Sequence, residues 1–204
     1  MGCIILFRMK GHTPSPQFDA GRPVTGALEV VREVLFSPRA FYEDFEAGGP
    51  LRGAVVFVWL VSLVAAVLSM ALAVVLDVGG GIDVYPLLVR AGEAAAFVVL
   101  SPLALGVVAA VYMVPVRVFV GKEARFRHLY RMLASAYSVM VLGWVPVLQS
   151  FAIVYGMVVL MALALRSVYR VPGLMALVVS VISLIPISAG AVWLILEAAR
   201  LVSG

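Results

Sequence analysis

The chain has 204 residues, of which 64% are hydrophobic and 13% charged, with a formal net charge of +4, and its mean hydropathy is +1.12. A soluble domain is nearer half apolar and about a quarter charged, so this composition in water would expose large aggregating patches and excludes a soluble globular protein. A single cysteine, Cys3, excludes intrachain disulfides and a Cys-based metal site.

The opening Met1-Gly2-Cys3 begins like an acylation signal, but Leu6 stands where Ser or Thr is required. The apolar run Cys3–Phe7 is shorter than the roughly 7–15 residues of a signal-peptide core. Residues 1–24, with Gly11, Pro14, Pro16, Gly21 and Pro23, read as a mobile tail.

Helical spacing begins at Thr25–Phe36, where Leu28, Val31 and Leu35 share one face and Glu29, Arg32 and Glu33 are polar. Ser37-Pro38 restarts the helix, with Ser37 placed to cap and Pro38 suited to the first turn. Phe41, Tyr42 and Phe45 then form an apolar stripe opposite Glu43, Asp44 and Glu46, and Gly48-Gly49-Pro50 ends the segment. Two short amphipathic helices over residues 25–50 satisfy this pattern, either lying on the membrane surface or covering the cytoplasmic ends of the bundle.

Five apolar stretches follow within a single membrane domain, residues 51–204. The first, 53–76, is long enough to cross a core of roughly 30 Å. After a loop holding Gly79-Gly80-Gly81 comes 94–116, with Arg90 and Glu93 at its outer end, Arg117 at its inner end, and Pro102 and Pro115 as kink sites. A basic connector over Gly121–Arg131 leads to 132–146 and 149–165, a hairpin turning at Trp144-Val145-Pro146. Those two stretches are short, so a re-entrant loop is the alternative to a full double crossing. The last, 174–196, contains Pro186 and ends at Glu197 and Arg200.

Charge orients these stretches. Thirteen of the fifteen Lys and Arg residues fall in three segments: the N-terminal region up to Arg52, Arg117–Arg131, and Arg166–Arg170. Arg90 and Arg200 fall on the other side. Cytoplasmic loops accumulate Lys and Arg, so the N-terminus is expected inside and the C-terminus outside, with five crossings of the cell membrane. The predicted fold class is all-α: five transmembrane helices preceded by one or two amphipathic helices.

Chemistry-bearing residues are few. Lys122, Arg125, Arg127 and Arg131 form the densest basic cluster, with His128 among them and Phe126 and Tyr130 interleaved. Flanking spans make anionic headgroups, or an acidic cytoplasmic protein, the expected partner rather than nucleic acid. Phe41 and Phe45 are the candidates for insertion into the membrane surface. Arg90 with Glu93, and Glu197 with Arg200, stand at i,i+3 spacing as helix-end ion pairs, and Arg90 with Glu197 would tie two spans together. The two histidines, His12 and His128, lack neighbours at ligand spacing, so no metal site is expected. No catalytic constellation and no cofactor motif is present: neither Gly79–Gly81 nor Gly121-Lys122-Glu123 has a phosphate-loop ending. Gly106 with Ala110, and Gly190 between Ala189 and Ala191, offer small-residue surfaces for helix packing or for homo-oligomer contact.

Three blocks resemble the Yip-domain family in its prokaryotic form. They are Phe36-Ser37-Pro38-Arg39-Ala40-Phe41-Tyr42 with Gly49-Pro50-Leu51; then Gly121, Arg127-His128-Leu129-Tyr130-Arg131-Met132-Leu133, Ala136-Tyr137-Ser138 and Val145-Pro146; and then Leu165-Arg166-Ser167-Val168-Tyr169-Arg170 with Ala176. The resemblance implies a non-enzymatic five-span protein with a cytoplasmic N-terminus, acting in membrane organisation or partner recruitment. Eukaryotic members bind small Rab-type GTPases, but their Asp-Leu-Tyr-Gly-Pro-like motif is absent here; Asp44 with Gly49-Pro50 is its nearest counterpart. A small transporter, channel or lipid-moving protein is the alternative function. It would have a polar path past Ser135, Tyr137, Ser138 and Gln149.

Overall fold

The computed structural model describes residue 18 and residues 22–77, 84–121 and 123–203, and among these every regular element is helical. In chain order they are α1 (Pro23–Phe36), α2 (Pro38–Glu43), α3 (Leu51–Asp77), α4 (Val84–Phe119) and α5 (Phe126–Ala136). After α5 come a 3₁₀ segment (Tyr137–Leu142), α6 (Pro146–Val154), a π-helical segment (Tyr155–Leu160), α7 (Met161–Tyr169) and α8 (Gly173–Ser203). Apart from Phe18, Arg22, Pro23 and Val24, the predicted tail lies outside the described residues, as do the triglycine loop and Lys122.

Four stretches are long and apolar enough to cross a membrane: Leu51–Leu76, Leu87–Phe119, Val147–Tyr169 and Gly173–Gly190. Their wide exposed faces carry large apolar side chains, Val67, Leu103, Val107 and Ile185 among them. Lipid leaves such faces in an apolar solvent, whereas water would not. The chain is thus an all-helical protein of multi-pass membrane type.

The remaining stretch sits at the centre. In α5 the buried side chains run almost without interruption from Leu129 to Ala136. It begins near the start of α3, where Arg127 Nε donates at 2.7 Å to the carbonyl of Gly49, two residues before that helix. Its 3₁₀ continuation reaches Ser62 of α3 through the Tyr137 hydroxyl, 3.0 Å away. Beyond that, Met140 and Gly143 share a cleft with Ser69 and Met70. The stretch therefore follows α3 from its start to residue 70. Eleven α-helical and six 3₁₀ residues rise about 28 Å, some 3 Å more than all-α geometry would give.

Proline sets the ties between these helices. Pro102 lies inside α4 and has no N–H to offer the Val98 carbonyl one turn back. The Ser101 hydroxyl donates there instead, at 3.1 Å. Ser101 Oγ in turn accepts from Ser62 Oγ at 2.7 Å, which leaves the Tyr137 hydroxyl as donor to Ser62. The direction is unique: Tyr137, Ser62, Ser101, Val98 carbonyl. Ser62 is fully buried, so this relay ties α3, α4 and the 3₁₀ segment in an apolar interior. On the other side Gly156 of the π segment faces the Ala136 carbonyl, 3.2 Å from where a Cβ would stand. The Tyr112 hydroxyl donates to the Met157 carbonyl in the same segment.

The N-terminal helices depart from the predicted pattern in three respects. The buried face of α1 is Gly26, Val30 and Val34, with Val31 and Leu35 at its edge, while Leu28 is 64% exposed. The chain breaks at Ser37 as expected, but the Ser37 side chain makes no capping bond; its backbone N–H satisfies the Glu33 carbonyl instead. Phe41 and Tyr42, 2% and 1% exposed, are core residues, and α2 packs against α7. The apolar stripe is therefore buried against protein, which favours the covering role over the surface-lying one. In α8 a Cβ on Gly190 would meet nothing, whereas one on Gly106 would touch the Tyr130 ring at 3.9 Å. Of these two glycines, only Gly106 serves a packing contact.

Removing one hydroxyl of the relay leaves its neighbour short of a partner. Ser62→Ala should cost roughly 0.6–1.7 kcal/mol, the range for inter-helix hydrogen bonds in membranes. Tyr137→Phe should cost less on the Ser62→Ala background than on the wild type. A double-mutant cycle of unfolding in mixed micelles measures both, and strict additivity would mean that the relay does not exist.

Candidate functional site

Two of the cationic segments meet where α4 ends, α5 begins and α7 ends. Arg117, Arg125, Arg127, Arg166 and Arg170 are all exposed there. From the N-terminal segment, Arg39 pairs with Glu43 within α2 at 2.9 Å, and Arg52 stands exposed in the first turn of α3. Arg200 lies near the end of α8, where the helix runs away from this cluster. Residues far apart in sequence thus form one cationic face. Arg170 closes α7 with φ 54° in the left-handed region, and Pro172 follows, as is common after a helix C-cap.

Within this face an arginine clamp holds the N-terminal helices. Arg127 binds the Gly49 carbonyl. Arg131, one turn later, places its guanidinium carbon 5.7 Å from the centre of the Phe45 ring, a separation suited to cation–π attraction. A Cβ on Gly49 would overlap that guanidinium. Phe45 packs in turn, tilted, against Phe41 and Tyr42, at ring separations of 5.6 and 5.8 Å. The Tyr42 hydroxyl stands 3.2 Å from Ser135 Oγ, and Ser135 donates to the Met132 carbonyl at 2.8 Å. Burial pulls Arg131 below the ordinary arginine range; Arg127 adds to this, and Glu46 opposes it.

The predicted headgroup cluster therefore divides in two. Arg125, the extended residue before α5, is open to the surroundings. Arg127 and Arg131 serve the clamp, Arg131 half-buried. Phe45 is half-buried beneath Arg131. Phe41, expected to enter the membrane surface, cannot do so from the core, where the aromatic stack and α7 enclose it.

At the opposite end, Glu197 and Arg200 form the expected helix-end pair at 3.1 Å. No Arg90–Glu93 or Arg90–Glu197 ion pair occurs among the described residues, so the predicted tie between α4 and α8 is not seen. Glu93 instead occupies the junction of two depressions. One is an apolar chamber, open on one side, of about 750 Å³ between α4, α5, the 3₁₀ segment, α6, the π segment and α8. The other, about 280 Å³, lies against α3 and is lined by Ser69, Arg90 and Gln149 as well as Glu93. Among the described residues no three His, Cys, Asp or Glu side chains gather as metal ligands.

Sequence reasoning missed the relay, the Tyr42–Ser135 contact and the role of Gly49. Only the relay had a readable signal, a serine directly before an intrahelical proline. No protein-family model, no curated protein and no solved structure matches the chain.

Two outcomes follow from the clamp. Gly49→Val should expel the Arg131 guanidinium and loosen α1 and α2, raising amide exchange there about tenfold. Gly48→Val, whose added carbon meets nothing within 4 Å, is the control, and equal exchange in the two variants would contradict the clamp. His128 is held below the ordinary imidazole value, chiefly by burial and then by Arg125, Arg127 and Arg131. The unfolded chain thus binds the proton more readily, so stability should fall as pH drops through about 6.5 and level off below the folded value. His128→Gln should flatten that part of a melting-temperature profile between pH 7.5 and 5.

Proposed function

We propose that this chain is a non-enzymatic, Yip-type membrane protein that organises membrane or recruits a partner through its cationic face. The observation that carries the reading is the convergence of the cationic segments on one end, where Arg125, Arg166 and Arg170 stand exposed. Near an anionic leaflet each such cation contributes about 1 kcal/mol.

In this reading the third of five crossings begins after Arg131 and runs on through the 3₁₀ segment, N-terminus inside and C-terminus outside. Its course alongside α3 supports a crossing over a re-entrant loop. The resemblance to Yip-domain proteins implies the same five spans. Two residues expected of a transport path argue against that function: Tyr137 and Ser135 are committed to inter-helix and backbone bonds.

Topology and partner are tested together. On a Cys3→Ser background, single cysteines at Arg125 and Arg170 should label from the cytoplasmic side and one at Trp144 from the other. A Trp144 position labelled only from the cytoplasm would overturn the third crossing. Separately, Arg125→Ala with Arg166→Ala should weaken retention of phosphatidylglycerol in detergent about tenfold or more, at 1 kcal/mol or so per cation. Unchanged retention would remove the headgroup role.

A further inference from the structure

The apolar chamber has almost no polar capacity of its own. Its walls are side chains such as Leu100, Val108, Leu133 and Ile187. Of the hydroxyls that line it, Ser101 donates to the Val98 carbonyl. Tyr137 is committed to Ser62, and Ser188 donates to the Leu184 carbonyl at 2.9 Å. An occupant of the chamber must therefore be a hydrocarbon chain with no polar group to satisfy. The volume lies within the roughly 300–1,000 Å³ usual for small-ligand sites. One wall is the π segment, a geometry that recurs at functional sites.

The mouth has the opposite character. Glu93 lies one turn after Arg90 at the outer end of the α4 span, exposed at the edge of the chamber. A carboxylate bordering an apolar space favours a cationic or hydrogen-bonding partner. The adjoining depression adds the cation Arg90 and the neutral polar groups Ser69 and Gln149. Glu93, Phe97 and Met140 border both spaces. A headgroup carrying both charges complements this set, whereas a purely anionic one would face Glu93.

We propose that the chamber and its mouth form a binding site for one glycerophospholipid with a primary-amine zwitterionic head. One acyl chain fills the chamber, the ammonium donates to Glu93, and the phosphate lies on the side of Arg90 and Gln149. On the orientation above, this is a lipid of the outer leaflet. The site itself stands apart from that orientation, because its test does not depend on sidedness.

Phosphatidylethanolamine and phosphatidylcholine of equal chain length are the probes. Both are net neutral, so the cationic face does not separate them, and only the first has N–H donors. Native mass spectrometry of the full chain in mild detergent should show one phosphatidylethanolamine retained on the order of tenfold more strongly than phosphatidylcholine, the size of one charge-assisted hydrogen bond. Glu93→Gln should abolish that preference. Ala104→Trp, which fills the chamber, should abolish retention of the bound lipid, whereas Val107→Trp on a lipid-facing position outside it should not. Equal retention of the two lipids by the wild-type chain would overturn the proposal, as would undiminished retention in a folded Ala104→Trp variant. Should Ala104→Trp fail to fold, the wild-type preference and its response to Glu93→Gln still decide.

Discussion

A carbonyl that loses its partner inside a helix surrounded by hydrocarbon must be satisfied by the protein, because no water is there to do it. Pro102 creates such a carbonyl at Val98, and the relay through Ser101, Ser62 and Tyr137 is the answer. The consequence is architectural. Tyr137 is the first residue of the 3₁₀ segment, so the bond that ends the relay also fixes where the central stretch turns from α to 3₁₀ geometry beside α3 and α4. The π segment then packs against the same stretch, where Gly156 allows close approach to the Ala136 carbonyl.

Charge acts on a different scale. The cations do not act alike once the chain is folded. Arg125 and Arg166 stay open, while Arg127, itself exposed, binds the Gly49 carbonyl and Arg131 packs half-buried on Phe45. A guanidinium can do this because its planar fork binds a carbonyl and its face lies on an aromatic ring, neither of which needs a full countercharge. The same end of the molecule thus combines a rigid inner layer with an exposed cationic outer one. The opposite end carries Glu93 and Arg90 beside an apolar chamber, so the two ends differ in chemistry as well as in net charge.

Much of the helix order was legible before the structure. Length and hydropathy alone placed α3, α4 and α8, because a residue facing lipid and one facing a helix neighbour can both be apolar. That permissiveness also hid the packing. The α1 stripe read as Leu28, Val31 and Leu35, yet the buried side chains are Val30 and Val34, with Gly26 beneath them. The two faces are rotated by less than a turn, and only contact with α3 and α5 distinguishes them. Phe41 read as a membrane anchor for the same reason: an aromatic residue on an amphipathic helix suits a lipid surface and a protein core equally well. The candidate site was less legible. Glu93 was visible as an acidic residue near a span end, but the chamber beside it is built from six segments that no spacing rule connects.

The amino-acid sequence on its own determined that this protein is helical and of multi-pass membrane type, and which of its segments are cationic. Those properties follow from summed transfer energies and from charge position, which do not depend on contacts. Tertiary structure decided which arginines face outward, which aromatic rings are buried, and that Ser62, Ser101 and Tyr137 form one chain. Those properties depend on distances of about 3 Å between residues up to 93 positions apart, which local pattern does not encode.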